Sequence, residues 1–381
     1  MSQVMIAGGG NTPFMKHPGR TVLSLAREAG SKALIDAGLS PADIGMGIFA
    51  TALSGKLFGD ITVGQNAFAE MGMPRIPVFN VENACASGSS AVHLACMAIR
   101  AGEVECAMVI GAEKMCVPQV GLLSSGDGEL DSLLGLVAPA SFALRARRHM
   151  AEFGTTVEQM AMVSVKSRRH SALNSNAIFR TPVTVEQVLA SPMIADPLTR
   201  LQSCPNADGA SAVIVCSGKM GRRIGARVAV RATMLSSGNY VNPQDLARWD
   251  TDYEGVSRVY EMAGIGPEDL DVVECHDAFS ISEIIHYEAL RLCPPGGGGE
   301  LLERGATSLG GRIPVNVSGG LLSRGHPVAA TGVEQVLELT RHLRGDAGSR
   351  QVTGARVALA HCMGGDRAAD TKSMTAIVLA T

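Results

Sequence analysis

Four short stretches of this 381-residue chain gather nucleophilic and titratable side chains among glycine, alanine and serine. The first is Asn83-Ala84-Cys85-Ala86-Ser87-Gly88-Ser89-Ser90, between the apolar run PVFNV and a segment rich in Ala and Ser that reads as a helix. A thiol at a helix N-terminus faces unsatisfied N–H groups, whose partial positive charge favours the thiolate. The chemistry open to it is attack on an acyl carbon. Its small neighbours let a bulky substrate reach the backbone. A lone cysteine is more often a buried apolar side chain, but the strand-to-helix corner favours a nucleophile at Cys85.

The second stretch is Cys275-His276-Asp277-Ala278-Phe279, between LDVVE and ISEIIHYEAL. His276 there reads either as a functional imidazole or as a helix-capping, satisfied core histidine. The third runs from Ser318-Gly319-Gly320 to Ser323-Arg324-Gly325-His326-Pro327. Pro327 keeps His326 out of helical geometry, on a fixed loop just ahead of VEQVLELTRHL. The fourth, His361-Cys362-Met363-Gly364-Gly365, follows ARVALA. Its glycines allow main-chain N–H groups to point at a bound oxygen, as an oxyanion hole requires.

The elements that must position these loops emerge when the chain is aligned with itself. ALIDAGLSPADIGMGIFATAL from Ala33 matches VYEMAGIGPEDLDVVECHDAF from Val259, with Ala37-Gly38, Pro41 and Asp43 meeting Ala263-Gly264, Pro267 and Asp269. Each reads as a helix ended by glycine, a Pro turn and a buried strand. Phe79-Asn80-Val81 is echoed by Val315-Asn316-Val317, each leading through small residues into a helix that ends near Gly102 or Gly345. Apolar strands from Cys106 and Ala355 follow. Two echoes in one order imply a duplicated α/β unit. His276 and Asp277 fall where the first copy has only Ala50-Thr51-Ala52, which marks them as acquired for function. The expected halves are 1–118 with 207–222, and 223–381. An inserted loop domain, 119–206, is expected over the first half.

Composition bounds the partners. With 33 Lys+Arg against 36 Asp+Glu there is no electrostatic footprint for nucleic acid. No apolar run is long enough for a membrane helix, and the start and end carry no secretory or peroxisomal signal. Nine cysteines without a CxxC pair fit reduced thiols in the cytoplasm rather than disulfides or a metal centre. Only 18% of residues are charged, as expected if a second subunit covers part of the surface. The runs PPGGGG from Pro294 and Gly8-Gly9-Gly10 lack the spacing of nucleotide-binding loops.

Together the four loops resemble the thiolase family over essentially the whole chain. NACASGSSA is similar to its nucleophile loop, HDAF to its first oxyanion loop, GHP to its histidine loop and CMG to its second-cysteine loop. The His-Asp form of the second loop, where most thiolases have Asn-Glu, and the segment from Ser191 resemble the sterol-carrier-protein-type and archaeal branches. The resemblance implies a five-layer αβαβα core and a homodimer, with a homotetramer or a small partner protein as alternatives. It implies acyl-CoA as substrate and no tightly bound cofactor. Cys85 would be the acyl-accepting nucleophile, His326 its base, and Cys362 the acid/base at the α-carbon. His276 and His326 would form one oxyanion hole, and the backbone N–H groups of Cys85 and Gly364 the other. Arg145, Arg147, Arg148, Lys166, Arg168, Arg169 and His170 are candidates for the phosphates of coenzyme A, or else a solvated charged face. The family's histidine loop reads Gly-His-Pro-x-Gly-Ala-Thr-Gly, but Ala329 stands at the middle glycine, where a methyl is expected to narrow the pocket or shift the loop. A decarboxylating ketoacyl synthase and a weakly active acyl-binding scaffold are the rival readings. Cys362 argues against the first, which generates its carbanion without a second thiol.

Overall fold

The structure, a computed structural model, describes residues 3–121, 129–240, 245–367 and 369–381. Residues 122–128 of the expected insertion lie outside the described residues. The first half runs β1 (Val4–Asn11), α1 (Val22–Ala37), β2 (Met46–Ala50), α2 (Ser54–Phe58), α3 (Val63–Glu70), β3 (Val78–Val81), α4 (Ser87–Ala101) and β4 (Cys106–Glu113). An insertion follows, with α5 (Leu130–Leu133), α6 (Ala138–Phe153), α7 (Val157–Ser171), α8 (Val185–Leu189) and the hairpin β5 (Met193–Ala195) and β6 (Leu198–Thr199). The first half resumes with β7 (Gly209–Ser217) and α9 (Gly218–Ile224). The second half has β8 (Val228–Ser236), α10 (Asp250–Ala263), β9 (Val272–Glu274), α11 (Ser280–Ala289), α12 (Gly298–Glu303), α13 (Val328–Arg344), β10 (Val357–Arg367) and β11 (Asp370–Ala380).

The strands lie in the order β3-β2-β4-β7-β1-β8-β11-β10-β9. Strands of the two halves pair where Val4–Ile6 runs antiparallel to Val228–Val230. On each side the plan is the same. β2 pairs parallel with β4 as β9 does with β10, and an antiparallel strand, β7 or β11, leads back to the joint. A parallel bridge from Val273 to Val315 stands in for β3. The shared local code is equally plain. Gly38 and Gly264 end α1 and α10 in the left-handed region at φ 63° and 68°, and Gly102 and Gly345 end α4 and α13 at 81° and 83°.

Strand alternation builds the layers. On β4, Ala107 and Val109 face α4 and α13, whereas Met108 and Ile110 pack with α1. On β11, Ile377 and Leu379 join the central helices, whereas Met374, Ala376 and Val378 face α10 and α11. The result is five layers, helices–sheet–helices–sheet–helices, with α4 and α13 in the middle. Their close approach depends on glycine: a Cβ at Gly88 or Gly111 would lie 2.3 Å from the Ala329 carbonyl oxygen.

The insertion lies over the second half, not the first as expected. α7 packs on α11, α12 and the turn Gly320–Arg324. Phe142, Met160 and Val163 share one core with Ile281, Ile284 and Leu321. The apolar stripes of α6 and α7 extend that core outward, which decides where the insertion docks.

Candidate active site

β3 delivers the chain to a tight corner before α4. Ala84 adopts φ +47°, an uncommon conformation for a residue with a Cβ. Ser87 stabilises it: its hydroxyl accepts from the Asn83 N–H at 2.8 Å and donates to the Ala84 carbonyl at 2.6 Å. Asn83 Nδ2 also donates to Ser90 Oγ at 3.1 Å. The serines of this loop therefore hold Cys85 at the head of α4. Gly364 of β10 presses on the same corner, where a Cβ would meet the Asn83 oxygen at 2.3 Å.

His326 reaches this thiol from the second half. Its Nε2 lies 3.2 Å from Cys85 Sγ and its Nδ1 lies 2.7 Å from Thr331 Oγ1. Thr331 spends its one hydroxyl proton on the Pro327 carbonyl, 3.1 Å away. Its oxygen must then accept from Nδ1–H, which leaves the Nε2 lone pair facing the thiol. That is the tautomer a base for Cys85 needs. Upstream, Arg324 is fixed by Glu274 at 3.2 Å and Ser318 at 2.9 Å.

Cys362 projects from β10 to the same place. Its Sγ lies 3.2 Å from the Cys85 carbonyl oxygen and 3.5 Å from His276 Nδ1. The His276 and His326 rings meet edge to face with centroids 5.4 Å apart. Next to His276, the Asp277 carboxylate accepts from the Leu321 N–H at 2.7 Å, tying the second loop to the third. All four expected loops thus converge on one cluster of side chains.

Burial sets the electrostatics. It pushes the Cys85 thiol up to about 12, with the nearby Glu113 charge as second cause, and His326 down to about 3, with Arg324 as second cause. Cys362 is held well above its ordinary value by burial and then Cys85, and His276 well below by burial and then His326. The resting site is a set of neutral thiols and neutral imidazoles. This revises the expected resting thiolate, because desolvation outweighs the helix end.

Ala329, expected to narrow the pocket or shift the histidine loop, lies away from the thiols. It is fully buried in the central core, in the first turn of α13, while His326 keeps its 3.2 Å approach to Cys85. Two basic candidates are corrected outright. Arg145 is fully buried, donating to Asp366 at 3.1 Å and the Ala369 carbonyl at 2.7 Å with its guanidinium over Trp249. Lys166 is buried against Glu283 at 2.6 Å and the Val315 carbonyl at 2.8 Å. Both neutralise or satisfy interior groups and present nothing to a phosphate. His170 is likewise buried, 2.9 Å from the Asn316 carbonyl. Arg147 pairs with Asp196, and Arg148 with Asp245 and Glu152. Arg168 lies buried over Phe179, and Arg169 is exposed.

Sequence reasoning missed Thr331 and Glu113, and it gave Asp277 and Ser87 no particular role. Thr331 had a signal, a hydroxyl residue one helical turn after Pro327; the others are legible only in three dimensions. Cys85, His276 and His326 offer metal-ligand atoms within 4.8 Å of one another, as do the buried Asp252, His286 and His361. Two surface cavities of about 550 and 500 Å³ are lined by residues around Arg20 and Glu28 and around Tyr260 and Arg291, away from all four loops.

Two thiols and two imidazoles converging in a duplicated five-layer α/β fold are the groups that acyl transfer between thiols calls for. A family model described as "Thiolase, N-terminal domain" matches residues 4–219, and one described as "Thiolase C-terminal domain-like" matches 233–379. The chain belongs to the thiolase family and is a CoA-dependent acyltransferase. It is 38% identical to sterol carrier protein 2 of Homo sapiens, over 96% of this chain and 70% of that protein. It is also 38% identical to an acetyl-CoA acetyltransferase of Methanothermobacter thermautotrophicus, over 96% and 97% of the two chains. To the benzoylsuccinyl-CoA thiolase subunit BbsB of Thauera aromatica it is 36% identical, over 97% of each. Among solved structures, the Ltp2–ChsH2(DUF35) aldolase superposes with a TM-score of 0.84 at 26% identity, covering 100% of this chain and 98% of that one. Human mitochondrial 3-ketoacyl-CoA thiolase in complex with CoA has the same fold, with a TM-score of 0.76 at 19% identity over 100% and 98%.

Proposed function

We propose that the chain catalyses thiolysis of 3-ketoacyl-CoA, or the reverse Claisen condensation of acyl-CoAs, through an acyl-Cys85 intermediate. The observation that carries this is the placement of a second thiol, Cys362, 3.2 Å from the Cys85 carbonyl, beside the contact of His326 with Cys85 Sγ. In condensation the Cys85 proton passes to His326 Nε2 as sulfur attacks the acyl-CoA carbonyl. The departing CoA sulfur recovers that proton. Cys362, once it has given its own proton to a neighbouring base, takes a proton from the α-carbon of a second acyl-CoA as a thiolate. The carbanion displaces Cys85 from its acyl group, and the expelled Cys85 thiolate takes up the proton that Cys362 gave away. Thiolysis runs the same steps backwards. His276 and His326 would hold one developing oxyanion, and the N–H groups of Cys85 and Gly364 the other. Arg168 and Arg169 remain the candidates for coenzyme A phosphates, with no tightly bound cofactor required.

The edge strand β3 exposes Phe79, and α4 beside it exposes Leu94 and Met97. This supports a homodimer in which a second copy covers that edge. The Thauera relative is a subunit, and the aldolase neighbour includes a DUF35 chain; both support a further partner chain. Among the described residues no helix is long and apolar enough to cross a membrane, and nine free cysteines suit the cytoplasm.

The test is Cys362→Ala. This variant should still gain an acyl group on Cys85, seen by intact mass, while thiolysis and condensation fall roughly 10²–10⁴-fold, the usual contribution of a positioned acid/base. Wild-type thiolysis in the variant would remove the role of Cys362. A wild type that only decarboxylates a malonyl thioester would make the chain a ketoacyl synthase.

A further inference from the structure

Cys362 lies among buried groups and needs an acceptor before it can act as a base. Its sulfur lies 3.2 Å from the Cys85 carbonyl oxygen, 3.5 Å from His276 Nδ1 and 3.9 Å from the Met363 carbonyl oxygen, and the Ser89 side chain also hydrogen-bonds to it. A carbonyl can hold the thiol proton in a hydrogen bond but cannot carry it away. An imidazole nitrogen can. We infer that His276 is the proton acceptor for Cys362, so that the site contains two Cys–His pairs, Cys85–His326 and Cys362–His276; the inference rests on the acyltransferase reading above.

The protons balance. The S–H proton of Cys362 moves to Nδ1 of His276. The thiolate then removes a proton from the α-carbon of the second acyl-CoA, and the C–H electron pair passes into the enolate. His276 is now cationic and donates through both nitrogens, so its Nε2–H binds the enolate oxygen as a charge-assisted donor. Attack of the enolate carbon on the acyl group breaks the Cys85 thioester. The released Cys85 thiolate recovers the proton held by His276, through the neighbouring His326 ring 5.4 Å away. One histidine thereby supplies the base and strengthens the oxyanion hole in a single movement. Burial keeps the ring neutral at rest, as an acceptor must be. Besides Cys362, the titratable groups that act electrostatically on His276 are His326, His361 and His286, and those that act on Cys362 are Cys85, Arg324 and Asp252.

His276→Asn separates the two roles, because an amide still donates a hydrogen bond but takes no proton. The measurement is deuterium uptake at the methyl group of acetyl-CoA in heavy water, divided by acetylation of Cys85 in the same sample. At pH 7 the ratio in His276→Asn should fall roughly 10²-fold or more, the range for loss of a positioned base, and climb as hydroxide ionises Cys362 at higher pH. An Asn variant with the wild-type ratio would overturn the pair, since a donor alone would then suffice. A wild type that neither acetylates Cys85 nor exchanges protons would instead remove the acyltransferase reading, and this inference with it. Should the variant fail to fold, the wild-type condensation rate at increasing deuterium fraction decides: a bowed dependence means two protons in flight and supports the pair, and a straight line overturns it.

Discussion

Thr331→Val tests whether the reactivity of Cys85 depends on one tautomer of His326. Valine keeps the shape of threonine and removes the oxygen that accepts from Nδ1–H at 2.7 Å. Residues 326 and 331 are both buried, so no bulk water replaces that oxygen. A buried donor left without an acceptor costs about 1–3 kcal/mol. The ring can avoid this cost by moving its proton to Nε2, which then points at Cys85 Sγ and is no longer a base. At about 1.36 kcal/mol per tenfold, the competent tautomer falls roughly 5- to 150-fold in population, and formation of acyl-Cys85 should slow by the same factor. Rapid-quench intact-mass measurement of the acyl-enzyme reads this directly. Thr331→Ser, which restores the acceptor, should recover most of the rate. Unchanged acylation in Thr331→Val would refute the argument that Thr331 sets the tautomer, and a Ser variant as slow as Val would point to packing instead.

Three more outcomes are expected. With the thiol pushed up to about 12 and the imidazole down to about 3, Cys85 stays protonated across pH 6–9, so its iodoacetamide labelling should rise steadily with pH; a plateau below pH 8 would mean a resting thiolate after all. Gly111→Ala should destabilise the fold by about 1–3 kcal/mol through overpacking, since its Cβ would sit 2.3 Å from the Ala329 oxygen; Ala329→Gly should cost only about 1 kcal/mol, near one buried methyl, with thiolysis little changed. Denaturation midpoints check both, and a strongly altered acyl-chain preference in Ala329→Gly would return that methyl to the pocket.

Much of this was legible in the sequence because the duplication repeats local signals. The glycines that end α1, α10, α4 and α13, and the Pro turns at 41 and 267, require no tertiary knowledge. The four loops were equally plain, since Cys and His among glycines at strand ends have few structural uses. What failed was burial. Arg145 and Lys166 read as surface cations because a basic run on a helix usually faces water, and only the packing of α6 and α7 on the second half turns them inward. The same blindness produced the thiolate: a helix N-terminus is visible in a sequence, but the desolvation that opposes it is not.

The duplication also explains why the chemistry sits where it does. The loops holding Cys85 and His326 are the same loop in the two copies, each leading from a Phe/Val-Asn-Val segment into a central helix. Because α4 and α13 pack together in the middle layer, their leading loops must meet, and a nucleophile on one faces a base on the other. The remaining two places are also equivalent. Met46 pairs with Ala107 in the first half as Val272 pairs with Ala358 in the second, so Gly111 and Glu113 on β4 match Cys362 and Gly364 on β10, and the loop after β2 matches the loop after β9. In the first half these two places are tied by Glu113, which accepts from Thr51 Oγ1 at 3.0 Å and the Ala52 N–H at 2.8 Å. In the second half they carry Cys362 and His276, 3.5 Å apart. One copy thus spends this junction on holding the fold while the other carries a proton-transferring pair there. A buried carboxylate in the structural copy still acts on the chemistry, because Glu113 is the second cause of the raised Cys85 thiol.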